Sequence, residues 1–110
     1  MAYSESVYEA MSLHLGAIPD LSEKRMFGGI CFMLHGNMVG GAMKSGAMIR
    51  VGKARAADAL ALPGVEGTSP AGRKMGGMVW LPDAGDETEE ILAALIGMAL
   101  GFVGSLPPKP

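Results

Sequence analysis

Residues 25–34 read Arg-Met-Phe-Gly-Gly-Ile-Cys-Phe-Met-Leu, and the polar break His35-Gly36-Asn37 follows them directly. The run is rich in apolar residues typical of strands, and the break supplies Gly and Asn for backbone with positive φ, so the pattern predicts a strand followed by a hairpin turn. Residues 38–43 and 47–51 extend the pattern to two further strands, with a second turn at residues 44–46. The sequence therefore predicts an antiparallel meander in the middle of the chain.

A short helix is predicted before the meander and another after it. Behind Ser4, which can cap a helix N-terminus, apolar residues recur at the three- and four-residue spacing of a helix face, namely Val7, Met11, Leu15 and Ile18. Residues 53–62 are rich in alanine and end at Pro63-Gly64, which predicts the second helix.

The C-terminal part of the chain predicts a fourth strand and the longest helix. Residues 75–81 form the strand, and residues 65–74, which have no clear period, are expected to form a loop. Asp86 as N-cap with Glu89 three residues later is a capping box, which marks the start of the helix. Three glycines along this helix are expected to let its backbone approach the sheet closely, namely Gly97, Gly101 and Gly104.

The fold class predicted from these elements is α+β, with a four-stranded antiparallel meander and N-terminal, middle and C-terminal helices in one domain over residues 1–110. The chain is 49% hydrophobic and 18% charged, which suits a folded core and excludes intrinsic disorder. Its 9 basic and 11 acidic residues give no overall cationic field for nucleic acid. The uncharged stretch 91–106 is shorter than the ~20 residues of a membrane span, so no membrane association is expected.

The cellular compartment is predicted from cysteine usage and from the N-terminus. Cys31 is the single cysteine and cannot form an intramolecular disulfide. The first residues carry acids and no basic group ahead of an apolar stretch, unlike a secretory signal. A reducing cytoplasm is therefore expected.

No motif for catalysis, cofactor binding or metal binding is found. The nearest approach to a phosphate-binding loop, residues 46–53, has the wrong spacing and lacks the hydroxyl residue. Histidine and cysteine are too scattered for a metal site, so none is expected. A small enzyme using Cys31 or His35 stays an alternative, although a strand and a turn separate the two residues. Direct nucleic-acid binding is not expected either. It stays an alternative function that would require a local basic patch of Arg25, Arg50, Arg73 and Lys74.

The first predicted strand is apolar on both faces. Met26, Ile30, Phe32 and Leu34 are assigned to one side, whereas Phe27, Cys31 and Met33 are assigned to the other. Because the helices of so short a chain cover one face, part of the second face is expected to meet a protein partner, and the many methionines of the sheet suit such a surface. The predicted interaction surface contains Arg25, Phe27, Met33, Arg50, Arg73, Lys74 and Trp80. A homodimer that buries Phe27, Met33 and Trp80 is the expected self-association.

Several segments together resemble the N-terminal domain family of the competence regulator TfoX/Sxy. The resemblance begins at residues 24–29, Lys-Arg-Met-Phe-Gly-Gly, and continues in the turn 36–38 and in residues 48–52, 72–75, 79–82 and 105–109. Its signature residues here are Arg25, Met26, Phe27, Gly28, Gly29 and Gly36. The resemblance implies a bacterial, cytoplasmic α+β domain similar to small secretion-chaperone-like domains, with a regulatory or protein-binding role and no catalytic residues. It also implies a single-domain member, because the helical C-terminal domain of the two-domain regulators has no counterpart in this sequence.

Overall fold

The computed structural model describes residues 4–26, 28–67, 76–82 and 86–108. Its elements, in chain order, are α1 (Glu5–Leu15), β1 (Leu21–Met26), β2 (Gly29–Leu34), β3 (Asn37–Ala42), β4 (Gly46–Arg50), α2 (Ala56–Leu60) after a 3-10 turn (Lys53–Arg55), β5 (Met78–Pro82) and α3 (Asp86–Val103). The strands form one antiparallel sheet in which the spatial order equals the chain order. The α+β fold class and the antiparallel meander are confirmed.

In the described part of the chain the sheet has five strands, so the prediction of four is wrong. The run predicted as one strand is divided by a turn at Gly28, whose φ of 76° suits glycine, and residues before it form the separate strand β1. β1 pairs antiparallel with β2 from Leu21 opposite Leu34 to Met26 opposite Gly29. The sequence hides β1 because its central residues are polar and exposed, so they show no alternation between a buried and a solvated face.

The other predicted elements lie close to their expected positions. Ser4 caps α1, since its Oγ accepts a hydrogen bond of 3.4 Å from the backbone N–H of Val7. Asp86, predicted as the N-cap of α3, is instead the first residue of the helix, so the helix begins one residue earlier than expected. The segment predicted to be a loop contributes one bridge to the sheet, in which the backbones of Glu66 and Trp80 exchange two hydrogen bonds of 2.8 Å. The rest of that segment from residue 68 to 74 lies outside the described residues.

All three helices contribute to one hydrophobic core on one face of the sheet. α1 supplies Val7, Met11 and Leu15, α2 supplies Ala59, and α3 supplies its own apolar stripe. The sheet meets them through alternate side chains of β2 to β5 and their flanks, namely Phe32, Leu34, Val39, Ala42, Ala47, Ile49, Val51, Val79 and Leu81. The C-terminal segment is held to the same side, because the buried Asn37 side chain donates a hydrogen bond of 3.0 Å to the carbonyl of Pro107.

The glycines of α3 do not face the sheet, so that prediction is wrong. Gly97 and Gly101 are exposed, and apart from the backbone of the helix itself a Cβ added at either would meet no described atom within 4 Å. Gly104 is exposed as well and lies beyond the last residue of α3. The helix packs instead through its buried stripe, which consists of Leu92, Leu95, Ile96, Ala99 and Val103. The two glycines therefore lower helix propensity without a packing contact that offsets the loss.

We expect Gly97→Ala and Gly101→Ala each to raise the free energy of unfolding by about 0.5–1 kcal/mol, because alanine restricts the unfolded chain and fits the open space. Urea denaturation followed by circular dichroism measures the change. Gly46→Ala is the matched control, since its Cβ would collide with the carbonyl oxygen of Leu81 and should lower stability. A loss of stability in the two helix variants would contradict this interpretation.

Candidate protein-binding surface

The face of the sheet opposite the helices carries methionine on every strand or at its end. The pairing register places Met26, Met33, Met48 and Met78 on this side, in rows that also contain Lys24, Cys31, Gly41 and Trp80. We call this surface the methionine face and define it by six half-buried residues, namely Met26, Met33, Met38, Met43, Met48 and Met78. None of the six belongs to the core that the helices cover in the described part of the chain.

A bulge in β3 is required for this arrangement. Phe32 lies opposite Gly40 whereas the next residue, Met33, lies opposite Met38, so Val39 is the extra residue on β3. The bulge lets Val39 join the helix-covered core while Met38 stays on the other side, next to Met33. Met26 is on the methionine face as well, opposite Gly29, so its predicted grouping with Phe32 is wrong. The hairpin turn before Gly29 is the reason, because it resets the alternation.

Buried glycines form the floor of the methionine face. A Cβ at Gly41 would lie 2.7 Å from Cε of Met43 and 3.2 Å from Sγ of Cys31, so the Met43 side chain lies flat across the strand where a larger residue would block it. Cys31 is fully buried beneath this layer. Burial raises the pKa of the Cys31 thiol, because desolvation penalises the thiolate.

Trp80 does not belong to an exposed surface, and its assignment to the interaction surface is wrong. It is only 5% exposed although the register places it on the methionine face. Its Cζ2 lies 2.9 Å from where a Cβ of Gly46 would be, so the indole lies over that glycine, and Glu66 pairs with its backbone. Met33 and Arg50 are the predicted surface residues that are half-buried and that the register places on this face, and Phe27 lies outside the described residues.

The predicted basic patch is not assembled by its described members. Arg25 is exposed on β1 and lies on the helix side, opposite Ile30. Arg50 is on β4, which is three strand spacings or roughly 14 Å from β1, and the register places it on the other face, opposite Met78. Its guanidinium lies 5.4 Å from the centroid of the Phe102 ring, where it forms a cation–π contact. Arg73 and Lys74 lie outside the described residues. The two arginines therefore do not form one anion-binding site.

Cys31 and His35 do not form a thiol–imidazole pair. His35 is in the exposed β2–β3 turn, and its Nε2 lies 3.2 Å from Oδ2 of Asp20. Asp20 and His35 both have positive φ, at 66° and 52°, so this hydrogen bond joins two turn residues with left-handed backbone. Cys31 lies beneath the methionine side chains, where its thiol is buried.

A groove beside the edge strand is a feature that the sequence does not predict. It has a volume of about 320 Å³ and is lined by Tyr8, Glu23, Lys24, Arg25 and Ile30. The Tyr8 hydroxyl donates a hydrogen bond of 2.7 Å to Glu23, and the Tyr8 ring stacks on Phe32 at a centroid distance of 5.8 Å. Only the register of β1, which the sequence analysis missed, brings these side chains together.

Comparison with known proteins identifies the family. The chain matches the TfoX N-terminal domain over residues 14–103, which is most of its length, and therefore belongs to this family. No curated protein matches the chain, and no solved structure matches it either. The likeness to secretion-chaperone-like domains thus stays a prediction.

The family signature lies in two hairpin turns of this fold. Arg25 and Met26 end β1, Gly28 turns with a φ of 76°, and Gly29 begins β2, where a Cβ would collide with the Ala42 carbonyl. Gly36 has a φ of 82° in the β2–β3 turn. Phe27 lies between these residues but outside the described part of the chain. The three signature glycines are thus explained by backbone geometry.

The described residues contain neither a membrane-spanning helix nor a metal cluster. No helix among them is long and apolar enough to cross a membrane. No group of three His, Cys, Asp or Glu side chains in these ranges is arranged to hold a metal ion.

We expect the native Cys31 thiol to react with a disulfide reagent at least about 100-fold more slowly than in the urea-unfolded chain, because reaction requires an accessible thiolate. Absorbance of the released thiolate follows the rate at pH 8. A rate equal to that of the unfolded chain would contradict the burial described above.

The raised pKa of Cys31 also predicts a pH dependence. The folded chain keeps the thiol proton to higher pH than the unfolded chain, so this stability is present below the unfolded pKa of about 8.5 and is lost as the pH rises above it. We expect the free energy of unfolding of the wild type to fall more steeply between pH 8 and 10 than that of Cys31→Ala. Parallel slopes for the two proteins would show that the thiol does not contribute.

Proposed function

We propose that this chain is a non-enzymatic regulatory domain of the bacterial cytoplasm that binds a protein partner through the methionine face. The observation that carries the proposal is the row of half-buried methionines on the sheet face away from the helices. Membership of the TfoX N-terminal domain family supports a role like that of a competence regulator. The partner itself is identified by the experiment below.

The chemistry of the methionine face suits protein recognition. Each thioether side chain has three rotatable bonds and a polarisable sulfur, so the surface can adjust to an apolar partner. Half-burial leaves each side chain in contact with its neighbours and still accessible on one side. The buried glycines beneath keep the backbone close to that surface, so a partner would contact mostly flexible side chains over a rigid sheet.

The alternative functions have weaker support. A cysteine enzyme needs an accessible thiolate, whereas Cys31 is buried and its pKa is raised. Nucleic-acid binding needs clustered cations, whereas Arg25 is on the helix side of β1 and Arg50 contacts Phe102. Neither alternative uses the methionine face.

The test places a photo-crosslinking amino acid at position 33 or 48, on the methionine face, or at position 13 as a control. Leu13 is the matched control because it is also a large apolar residue and is 72% exposed on α1. In bacterial lysate we expect the same protein to be cross-linked from positions 33 and 48 but not from 13. Excess wild-type chain should compete for that protein, whereas excess Met48→Glu should not.

Two outcomes would overturn the proposed function. One is cross-linking that excess wild-type chain does not displace, which is non-specific. The other is turnover of a small substrate that Cys31→Ala abolishes, which would favour the enzyme alternative. Circular dichroism of Met48→Glu confirms that the variant remains folded.

A further inference from the structure

Among the described residues, no strand pairs with the outer side of β1, so β1 is an open edge of the sheet. It is outermost in the strand order, whereas the opposite edge strand, β5, is extended by the bridge from Glu66 to Trp80. Residues 22–25 are exposed on both faces of β1, including Glu23 and Arg25 on the side of the helices. An edge of this kind presents unpaired backbone N–H and C=O groups that another strand can bind.

The charge sequence of β1 restricts which strand can pair with it. Residues 22–25 read Ser-Glu-Lys-Arg. Glu23 and Arg25 are neighbours on the helix side of β1, whereas Lys24 lies on the methionine face. Charged side chains on an edge strand, lysine above all, oppose pairing with another strand, whereas directly opposed charges of opposite sign favour it. Here the two charges on the helix side have opposite signs.

A second copy of β1 complements this pattern in one register. A two-fold axis normal to the sheet pairs the two β1 strands antiparallel and keeps each face of one copy on the same side as that face of the other. Because opposed residues must lie on the same face and faces alternate along a strand, the axis passes through a residue that pairs with itself. An axis at Lys24 places Glu23 opposite Arg25 of the second copy, and the symmetry forms this pair twice. An axis at Glu23 or at Arg25 instead places that residue opposite itself and leaves the other charge opposite an uncharged residue.

We propose that two copies of this chain associate through β1 in the register centred on Lys24, which joins the two sheets into one. Arg25 of each copy then faces the groove of the other, where the Tyr8 hydroxyl already orients Glu23 by a hydrogen bond of 2.7 Å. Backbone pairing and two opposite-charge pairs stabilise the dimer. The two Lys24 ammonium groups meet at the axis and limit its affinity.

This interface differs from the homodimer expected from the sequence, which buried Trp80. It goes beyond the proposed function and does not rest on it, because the dimer uses the edge of the sheet and the protein partner uses a face. The two-fold axis normal to the sheet places both methionine faces on the same side of the dimer. A partner could then contact both copies.

Sedimentation equilibrium at low ionic strength, over a hundredfold range of concentration, tests the proposal. We expect a concentration-dependent mass between one chain of 11.3 kDa and two. Glu23→Arg and Arg25→Glu should each weaken the dimer by about tenfold or more, because each replaces two attractive pairs by two repulsive ones. Both positions are exposed, so both variants are expected to fold. Arg25→Glu also keeps the Tyr8–Glu23 hydrogen bond.

The decisive result comes from mixing the two variants. A heterodimer of Glu23→Arg with Arg25→Glu has opposite charges at both contacts, so the mixture should regain the wild-type affinity that each variant loses alone. Lys24→Ser should strengthen the wild-type dimer, since it removes the like charges at the axis. Met48→Glu should leave the dimer unchanged and should lose only the cross-linked partner.

Three outcomes would overturn the proposal. The first is the mass of one chain at every concentration. The second is a dimer that neither charge reversal weakens, or that the mixture fails to restore. The third is a dimer lost in Met48→Glu but retained in Arg25→Glu, which would place self-association on the methionine face.

Discussion

A single helix layer beside a five-stranded sheet is the constraint on which this structure depends. Two helices packed side by side cover about 20 Å, which is the width of about four strands. α1 and α3 pack against each other and against the central strands, so most of β1 extends beyond them, and Glu23 and Arg25 on its helix side are exposed. The same shortage of helices leaves the other face of the sheet to its own side chains. The methionine face and the exposed edge strand β1 therefore both follow from the small number of helices.

On the uncovered face, large flexible side chains lie over glycines of the sheet. Where a helix is absent, the sheet must shield its backbone with side chains that lie flat, and these need space beneath them. Gly41 provides that space for Met43, as Gly46 does for Trp80. An unbranched thioether can follow such a surface, whereas a β-branched residue stands upright from the strand. On this face of the sheet, small glycines and flat-lying large side chains therefore occur together.

Much of the fold could be predicted from local sequence signals. Ser4 with its helical apolar spacing, the turn at Gly36 and the start of α3 all depend on residues close in the chain, and the structure has them near the predicted positions. β1 was missed because an exposed edge strand carries no hydrophobic period. The surface was harder to predict, because it depends on register: the bulge at Val39 and the burial of Trp80 arise from pairing between strands. The prediction that the glycines of α3 face the sheet was wrong for a related reason, because their spacing does not show which side of the helix packs against the sheet.

The order of the strands also has a kinetic consequence. Neighbours in the sheet are neighbours in the chain, so β1 to β4 are joined by turns of a few residues and can pair at a small cost in loop-closure entropy. β5 follows β4 only after the long segment 51–77, and α3 must then pack beside α1 from the opposite end of the chain. The hydrogen bond from Asn37 to Pro107 spans 70 residues, and the contacts between α1 and α3 close still longer loops. Folding from the β1–β4 meander outward, with the C-terminal helix docking last, is the route that this topology favours.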